Sequence, residues 1–308
     1  MHWMTTVTKE QLNDVIQAVR KIDNNHKRKD ETIIKKLLDN EIILWDVLKH
    51  LCKQFPEICI AAAQQDGYAL EHVKEQTPEI CMAAVQQYGA ALEHVKKQTP
   101  EICIAAVKND GYALKYVKKQ TPEICMAAVQ QDGEALEYVK CKEQTPELCM
   151  AAVKRNGCAL QHVKKQTPEI CMVAVRQNSV ALQYVSGQTP EICMAAVRQW
   201  GLALEYVKCS ANNKEQTPEI CMAAVKQHSW ALKYVKCSAN NKKQTPEICM
   251  AAVQKNGWAL QYVKEQTPEI CMAAVRQDGQ ALQFVKDPAL REEIKRALDD
   301  ERNQRTIE

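Results

Sequence analysis

At 308 residues with a formal net charge of +3, the chain carries no strong global field of the kind that draws nucleic acid or an acidic membrane. Only 5% of residues are aromatic and two of these are Phe, so a core must be built from Ile, Val, Leu, Ala, Met and Cys. No run approaches the roughly 18 apolar residues of a membrane span. Met1-His2-Trp3-Met4-Thr5-Thr6 lacks the charged-then-apolar order of a signal peptide. A soluble, intracellular, cytoplasmic protein is expected.

The first stretch, about Thr8 to Cys52, has helical periodicity without internal repetition, as in Val15-Ile16-Val19 and Ile33-Ile34-Leu37-Leu38, with Lys27-Arg28-Lys29-Asp30 between the two. Residues 1–52 are expected to form an N-terminal helical cap. From residue 53 to 286 one pattern recurs ten times: Gln-Thr-Pro-Glu-Ile-Cys-Met-Ala-Ala-Val, three variable residues, Gly, one variable residue, Ala-Leu, two residues, Val-Lys. Its prolines, from Pro56 to Pro268, are spaced by 22 residues except for one step of 24 and two of 28. A fixed short period means each copy is a supersecondary unit that buries its apolar face only by stacking on its neighbours.

The copy from Thr77 to Gln98 shows the grammar. Thr77-Pro78-Glu79 reads as a helix start: a hydroxyl N-cap, proline at the first helical position, and a carboxylate at the positive end of the dipole. Ile80, Cys81, Ala84 and Val85 share one side of the helix, Met82 lies at its margin, and Ala83 falls between Gln86 and Gln87. Gly89 is expected to end the helix in the left-handed conformation. The second element, Ala90 to Lys96, is short and partly 3₁₀ in character, with Ala91, His94 and Val95 on one face. Ten such helix pairs make an all-α, α-solenoid fold, expected as one continuous stack. Asp287-Pro288 opens a last helix rich in Glu, Lys, Arg and Asp, so residues 287–308 are expected as a polar C-terminal cap.

The Thr-Pro-Glu-Ile-Cys-Met-Ala-Ala-Val…Gly-x-Ala-Leu-x-Tyr-Val pattern resembles the repeats grouped as domain of unknown function 4116, common in giant viruses of protists and present in some bacteria and protists. The resemblance covers about residues 53–286 and leaves out both flanks. It implies a helical repeat protein of viral origin and supplies no activity and no catalytic residues.

The residues that bear chemistry read as follows. Ten of the 15 cysteines occupy one repeat position, from Cys59 to Cys271. Helices stacked roughly 8–10 Å apart suit disulfides poorly, since these want Cα atoms within about 7 Å. No Cys-x-x-Cys or zinc-ligand spacing is present, so these are expected to be small buried hydrophobes kept reduced. His72, His94 and His162 share a slot with seven Tyr or Phe residues, which asks for a flat ring and not a proton-transfer group. No nucleophile elbow, phosphate loop or zinc-protease motif occurs. No enzyme, cofactor or metal is expected.

Two ladders remain. Met at eight of the ten copies, from Met82 to Met272, is expected to fill gaps between stacked units. Lys at nine copies, from Lys74 to Lys286, offers regular cations that would follow a phosphate backbone, although a Glu in every repeat cancels much of that field and the helix dipole explains the position equally well. The variable positions around each Gly hold Tyr68, Tyr112, Arg176, Arg198, Trp200, Trp230, Trp258 and Arg276, the residue types that dominate protein-binding hot spots. Unconstrained drift at a solvated edge would give the same scatter. Trp200, Trp230 and Trp258 fall in consecutive repeats, whose two joints carry duplicated polar inserts, Cys209–Lys214 and Cys237–Lys242. The expected function is a non-enzymatic scaffold that binds a protein partner along this variable edge, a host protein if the origin is viral. A nucleic-acid-binding solenoid using the lysines, and a purely structural or self-assembling rod, are the alternatives.

Overall fold

The computed structural model describes residues 48, 54, 56–140, 144–210, 213–214, 216–236 and 244–307. The expected N-terminal cap over 1–52 therefore lies outside the described residues, apart from the buried, helical Leu48. Contacts divide the chain into two compact units, Met1–Arg155 and Asn156–Glu308. The boundary falls inside the fifth repeat.

In the first unit the long helices are α1 (Pro56–Gln65), α2 (Pro78–Gln87), α3 (Pro100–Asn109), α4 (Pro122–Gln131) and α5 (Pro146–Arg155). In the second they are α6 (Pro168–Gln177), α7 (Pro190–Gln199), α8 (Pro218–Gln227), α9 (Pro246–Lys255) and α10 (Pro268–Gln277), followed by α11 (Pro288–Ile307). Between successive long helices lies a six-residue 3₁₀ helix, such as Gly89–His94 after α2. Within each unit, long helix packs on long helix and short on short, which is the all-α solenoid arrangement.

Each long helix starts where its residues dictate. The Thr77 hydroxyl accepts the Ile80 N–H at 3.4 Å, and Pro78 occupies the first turn, where no amide donor is needed. Ile80, Cys81, Ala84 and Val85 are buried, and Met82 and Ala83 are half-buried. The methionines do not fill the core as expected. Every one of the eight, with Ile60 and Ile104 in the same slot, stays half-exposed because it sits at the edge of the buried arc.

The helix stop differs from the expectation as well. The turning residue is Tyr88, extended at φ −146, and its N–H still bonds the Ala84 carbonyl at 2.9 Å. Gly89 is not left-handed; it opens the short helix. Its reason is the neighbouring repeat, because a Cβ there would lie 2.5 Å from the Ala106 carbonyl oxygen. The same collision awaits a Cβ at Gly67, Gly157, Gly201 and Gly257, whereas Gly279, with no repeat beyond it, meets nothing within 4 Å. Ser179 and Ser229 stand in this slot, and the short helices they start sit less closely against the following short helix.

The short element is 3₁₀ throughout, and three residues per turn change its buried set. Ala91, Leu92 and Val95 are buried, while His94 is only half-buried. In the first polar insert, β1 (Cys209–Ser210) pairs antiparallel with β2 (Asn213–Lys214), the only strands among the described residues. The second insert, Cys237–Lys242, lies outside the described residues. Its effect on the stack is still visible: Gln244 reaches the Leu232 carbonyl 12 positions back, where the uninterrupted repeats span 6.

At the C-terminus, the Asp287 carboxylate accepts the Ala289 N–H at 2.9 Å and so starts α11. Arg291 then bonds the Val285 carbonyl. It does for the last repeat what Lys286 does for the one before, whose Val263 carbonyl the Lys286 ammonium holds at 2.8 Å.

Candidate functional site: the edge of the short helices

The glutamine at the junction between successive repeats holds the stack together. Gln98 donates from Nε2 to the Leu92 carbonyl of its own side at 3.3 Å and to the Tyr116 carbonyl of the next repeat at 2.9 Å. Its Oε1 accepts the Lys118 N–H at 2.9 Å and the Cys103 thiol at 3.8 Å. One carboxamide thereby uses both donors and both acceptor sites. Gln76, Gln120, Gln188, Gln244 and Gln266 repeat all four contacts.

A second set of bonds closes the other end. Asn109 at the end of α3 accepts the Gly89 N–H at 2.8 Å and donates to the Gln86 carbonyl at 2.8 Å. Gln131, Gln177 and Gln227 accept the corresponding Gly N–H of the preceding repeat. Neither role was evident in the sequence; the recurrence of Gln at both slots was the available signal.

The ten repeat cysteines are free and buried. Burial pushes the thiols of Cys59, Cys81, Cys103, Cys149, Cys171, Cys249 and Cys271 upward, to about 11 for Cys59 and Cys249. They are the small core residues expected, and from Cys81 to Cys271 each adds a weak thiol bond of 3.6–3.9 Å to the adjoining glutamine oxygen. The lysine ladder is occupied too. Lys96 and Lys118 direct their ammonium groups onto Val and Lys carbonyls of the preceding repeat, and Lys208 and Lys286 do the same to Val185 and Val263.

The residue before each Gly, variable in sequence, has a defined task. Asp66, Asp110, Asp132, Asn156, Asn178, His228, Asn256 and Asp278 each accept the N–H two residues on, capping the short helix. Only Tyr88 and Trp200 make no such bond.

Where the residue after the Gly or Ser is aromatic, it packs on a ring of the next repeat. Tyr68 contacts the Tyr88 ring at 4.8 Å and His94 at 5.9 Å. Tyr112 meets Tyr138 at 5.9 Å, Trp230 meets Tyr262 at 6.4 Å, and Trp258 meets Phe284 at 5.4 Å. The His, Tyr and Phe slot thus serves ring packing, as its composition suggests. Trp258 also donates from Nε1 to Asp278 at 2.8 Å.

The eight candidate residues divide into three places. Tyr68, Tyr112, Trp230 and Trp258 lie along the short-helix edge; the first three remain 43%, 38% and 44% exposed, and Trp258 is half-buried. Trp200 is a half-buried cap position, in a different slot from the other two tryptophans. Trp230 and Trp258 face rings of the following repeat, so the three tryptophans are not one cluster. Arg176, Arg198 and Arg276 are exposed in the last turns of α6, α7 and α10, on the long-helix side.

Among the described residues, no group of three or more His, Cys, Asp or Glu is placed to hold a metal ion, and no helix is long and apolar enough to cross a membrane. A half-exposed aromatic edge on stacked helix pairs defines a helical repeat protein. The family model that matches is that of the domain of unknown function DUF4116, at residues 77–120, 99–143, 145–189 and 245–291. These spans cover more than half of the chain, which belongs to this family. Searches of curated proteins and of solved structures gave no match.

Proposed function

We propose that this chain is a non-enzymatic, intracellular scaffold that binds a protein partner along the edge of its short helices. The observation that carries this reading is the contrast within each repeat. Backbone-directed bonds fix the stack, while Tyr68, Tyr112 and Trp230 are held in place yet exposed on it and change from repeat to repeat. Large rigid rings with exposed faces are the preferred anchors of protein interfaces. Buried thiols kept protonated suit a reducing compartment. A host protein as target is part of the proposal, supported by the resemblance alone.

The lysine alternative loses ground because Lys96, Lys118, Lys208 and Lys286 are engaged on main-chain carbonyls. The test is capture from a host lysate with and without nuclease, comparing the full chain with its Trp200→Ala/Trp230→Ala/Trp258→Ala variant. A specific protein retained after nuclease and lost with the variant supports the scaffold. Capture that vanishes with nuclease transfers the function to nucleic acid, and mass that rises with concentration without any partner points to a self-assembling rod.

A further inference from the structure

The short-helix edge has two chemistries. In the first unit, the four described caps and short helices carry seven carboxylates against one cation, Lys115. In the second unit, six caps and short helices carry two carboxylates and one cation, with Trp230, Trp258, Val180 and Leu202 in the exposed or half-exposed slots. The rings differ in parallel: among the described residues, Tyr68, Tyr88 and Tyr112 are the exposed large aromatics of the first unit, and Trp230 is that of the second.

In the first unit these groups lie together. Tyr68 lies tilted against Tyr88, and Tyr112 meets Tyr138 edge to face. The Lys115 ammonium sits over the Tyr116 ring, 4.6 Å from its centre, so this edge already holds one cation on an aromatic face. The carboxylates act on the same rings. Tyr68 is raised above its ordinary pKa first by its hydrogen bond to Tyr88, with Glu93 contributing; Tyr112 is raised first by burial, with Asp132 and Glu134 contributing. A tyrosine face bordered by carboxylates attracts Lys and Arg twice, through the ring quadrupole and through charge, and repels acidic chains.

We infer that the tyrosine edge of the first unit, centred on Tyr68, Tyr88, Tyr112, Glu93 and Glu137, binds a basic, extended segment of a partner protein. This rests on the edge being a docking surface, and it adds which class of segment the first half accepts. Stacked repeats advance by roughly 8–10 Å and an extended chain by about 3.1 Å per residue, so every third residue of the segment meets an equivalent site. A basic residue at that interval is the expected pattern.

The experiment is fluorescence anisotropy with the full chain and three labelled peptides of about twelve residues, enough at roughly 3.1 Å per residue to span four repeats. The peptides are Pro-rich with Arg and Lys, with Gln at those positions, or with Glu. The variants are Tyr68→Ala/Tyr112→Ala and Glu93→Gln/Glu137→Gln, all outside the buried core, with unchanged thermal unfolding as the check on folding. Only the basic peptide should bind, more weakly as salt is added. Each lost tyrosine should weaken it by about two- to fivefold, the range of an exposed cation–π contact.

Binding of the basic peptide that neither variant weakens overturns the inference. So does equal, tyrosine-dependent binding of the Gln peptide, which would leave the docking edge standing and remove only its basic partner. Absence of binding by all three peptides also overturns it, while the scaffold reading is decided separately by the capture experiment and its tryptophan variant. Self-association lost in Tyr68→Ala/Tyr112→Ala, measured by sedimentation, would assign the edge to a second copy of the chain instead.

Discussion

Gly89 and Ala106 stand one repeat apart in sequence and almost in collision in space: a Cβ on the first would come within 2.5 Å of the carbonyl oxygen of the second. Backbone oxygen cannot swing aside as a long side chain can, so the short helix itself must shift. Gly89→Ala should destabilise the α2–α3 joint by about 1–2 kcal/mol, the lower part of the overpacking range, since Ser179 and Ser229 show that a Cβ is accommodated with looser stacking. Gly279→Ala should be neutral or slightly stabilising, because nothing lies within 4 Å. Hydrogen exchange resolved by repeat is the suitable measurement, as repeat arrays lose two-state behaviour.

Replacing Gln98 by Leu removes every partner it supplies at once. The Leu92 and Tyr116 carbonyls and the Lys118 N–H lose their bonds at a part-buried joint, which should cost about 2–4 kcal/mol. The Lys118 amide should change from slow to fast exchange, while amides two repeats away keep their protection.

The buried thiols set an alkaline limit. The folded pKa of Cys59 and Cys249 lies above the unfolded value, so the folded chain holds more protons than the unfolded one between about pH 9 and 11. Their contribution is fully present below pH 9 and is lost as pH rises through that window. On the acid side, Glu79, Glu101, Glu191 and Glu247 are held below the ordinary carboxylate range, first by their own backbone N–H and then by the N-cap threonine. That contribution is present above the unfolded carboxylate pKa and fades as pH falls. A pH series of thermal unfolding should therefore show a plateau near neutrality with losses on both sides. At pH 8 the ten repeat thiols should resist a disulfide reagent until the chain unfolds, whereas the half-buried Cys158 reacts earlier.

Trp200 occupies a position where eight other repeats gain a cap. Trp200→Asn should restore a bond to the Leu202 N–H, worth about 1 kcal/mol, and so hold or raise the melting temperature despite the lost ring. A marked fall in stability would show that the ring is needed for packing, a structural role in place of a binding one.

The sequence made the helix starts and the core legible because their causes are local. Thr77, Pro78, Ile80 and Val85 act on residues within one turn, and their spacing alone reports it. Gly89 and Gln98 are governed by atoms 17 to 20 positions away, so the glycine reads as a helix stop and the glutamine as an anonymous polar residue. The cap role of Asp110 was hidden for another reason. Asp, Asn and His serve there interchangeably, and that tolerance looks like drift until the N–H two residues on is seen to be the common partner. The candidate edge was found through Tyr68, Tyr112 and Trp230, but its ring partners and the contrast between acidic and neutral halves appear only when the repeats are stacked.

The glutamine joints hold main-chain atoms of the next repeat and, of its side chains, only the thiol of the Cys that every copy shares, so they are blind to which copy follows. Copies related in this way are exchangeable. Unequal recombination between two of them deletes or adds a whole repeat and leaves every remaining joint chemically unchanged, insert included. The length of the array, and with it the number of edge positions open to a partner, is thereby free to evolve in steps while the stacking chemistry stays constant.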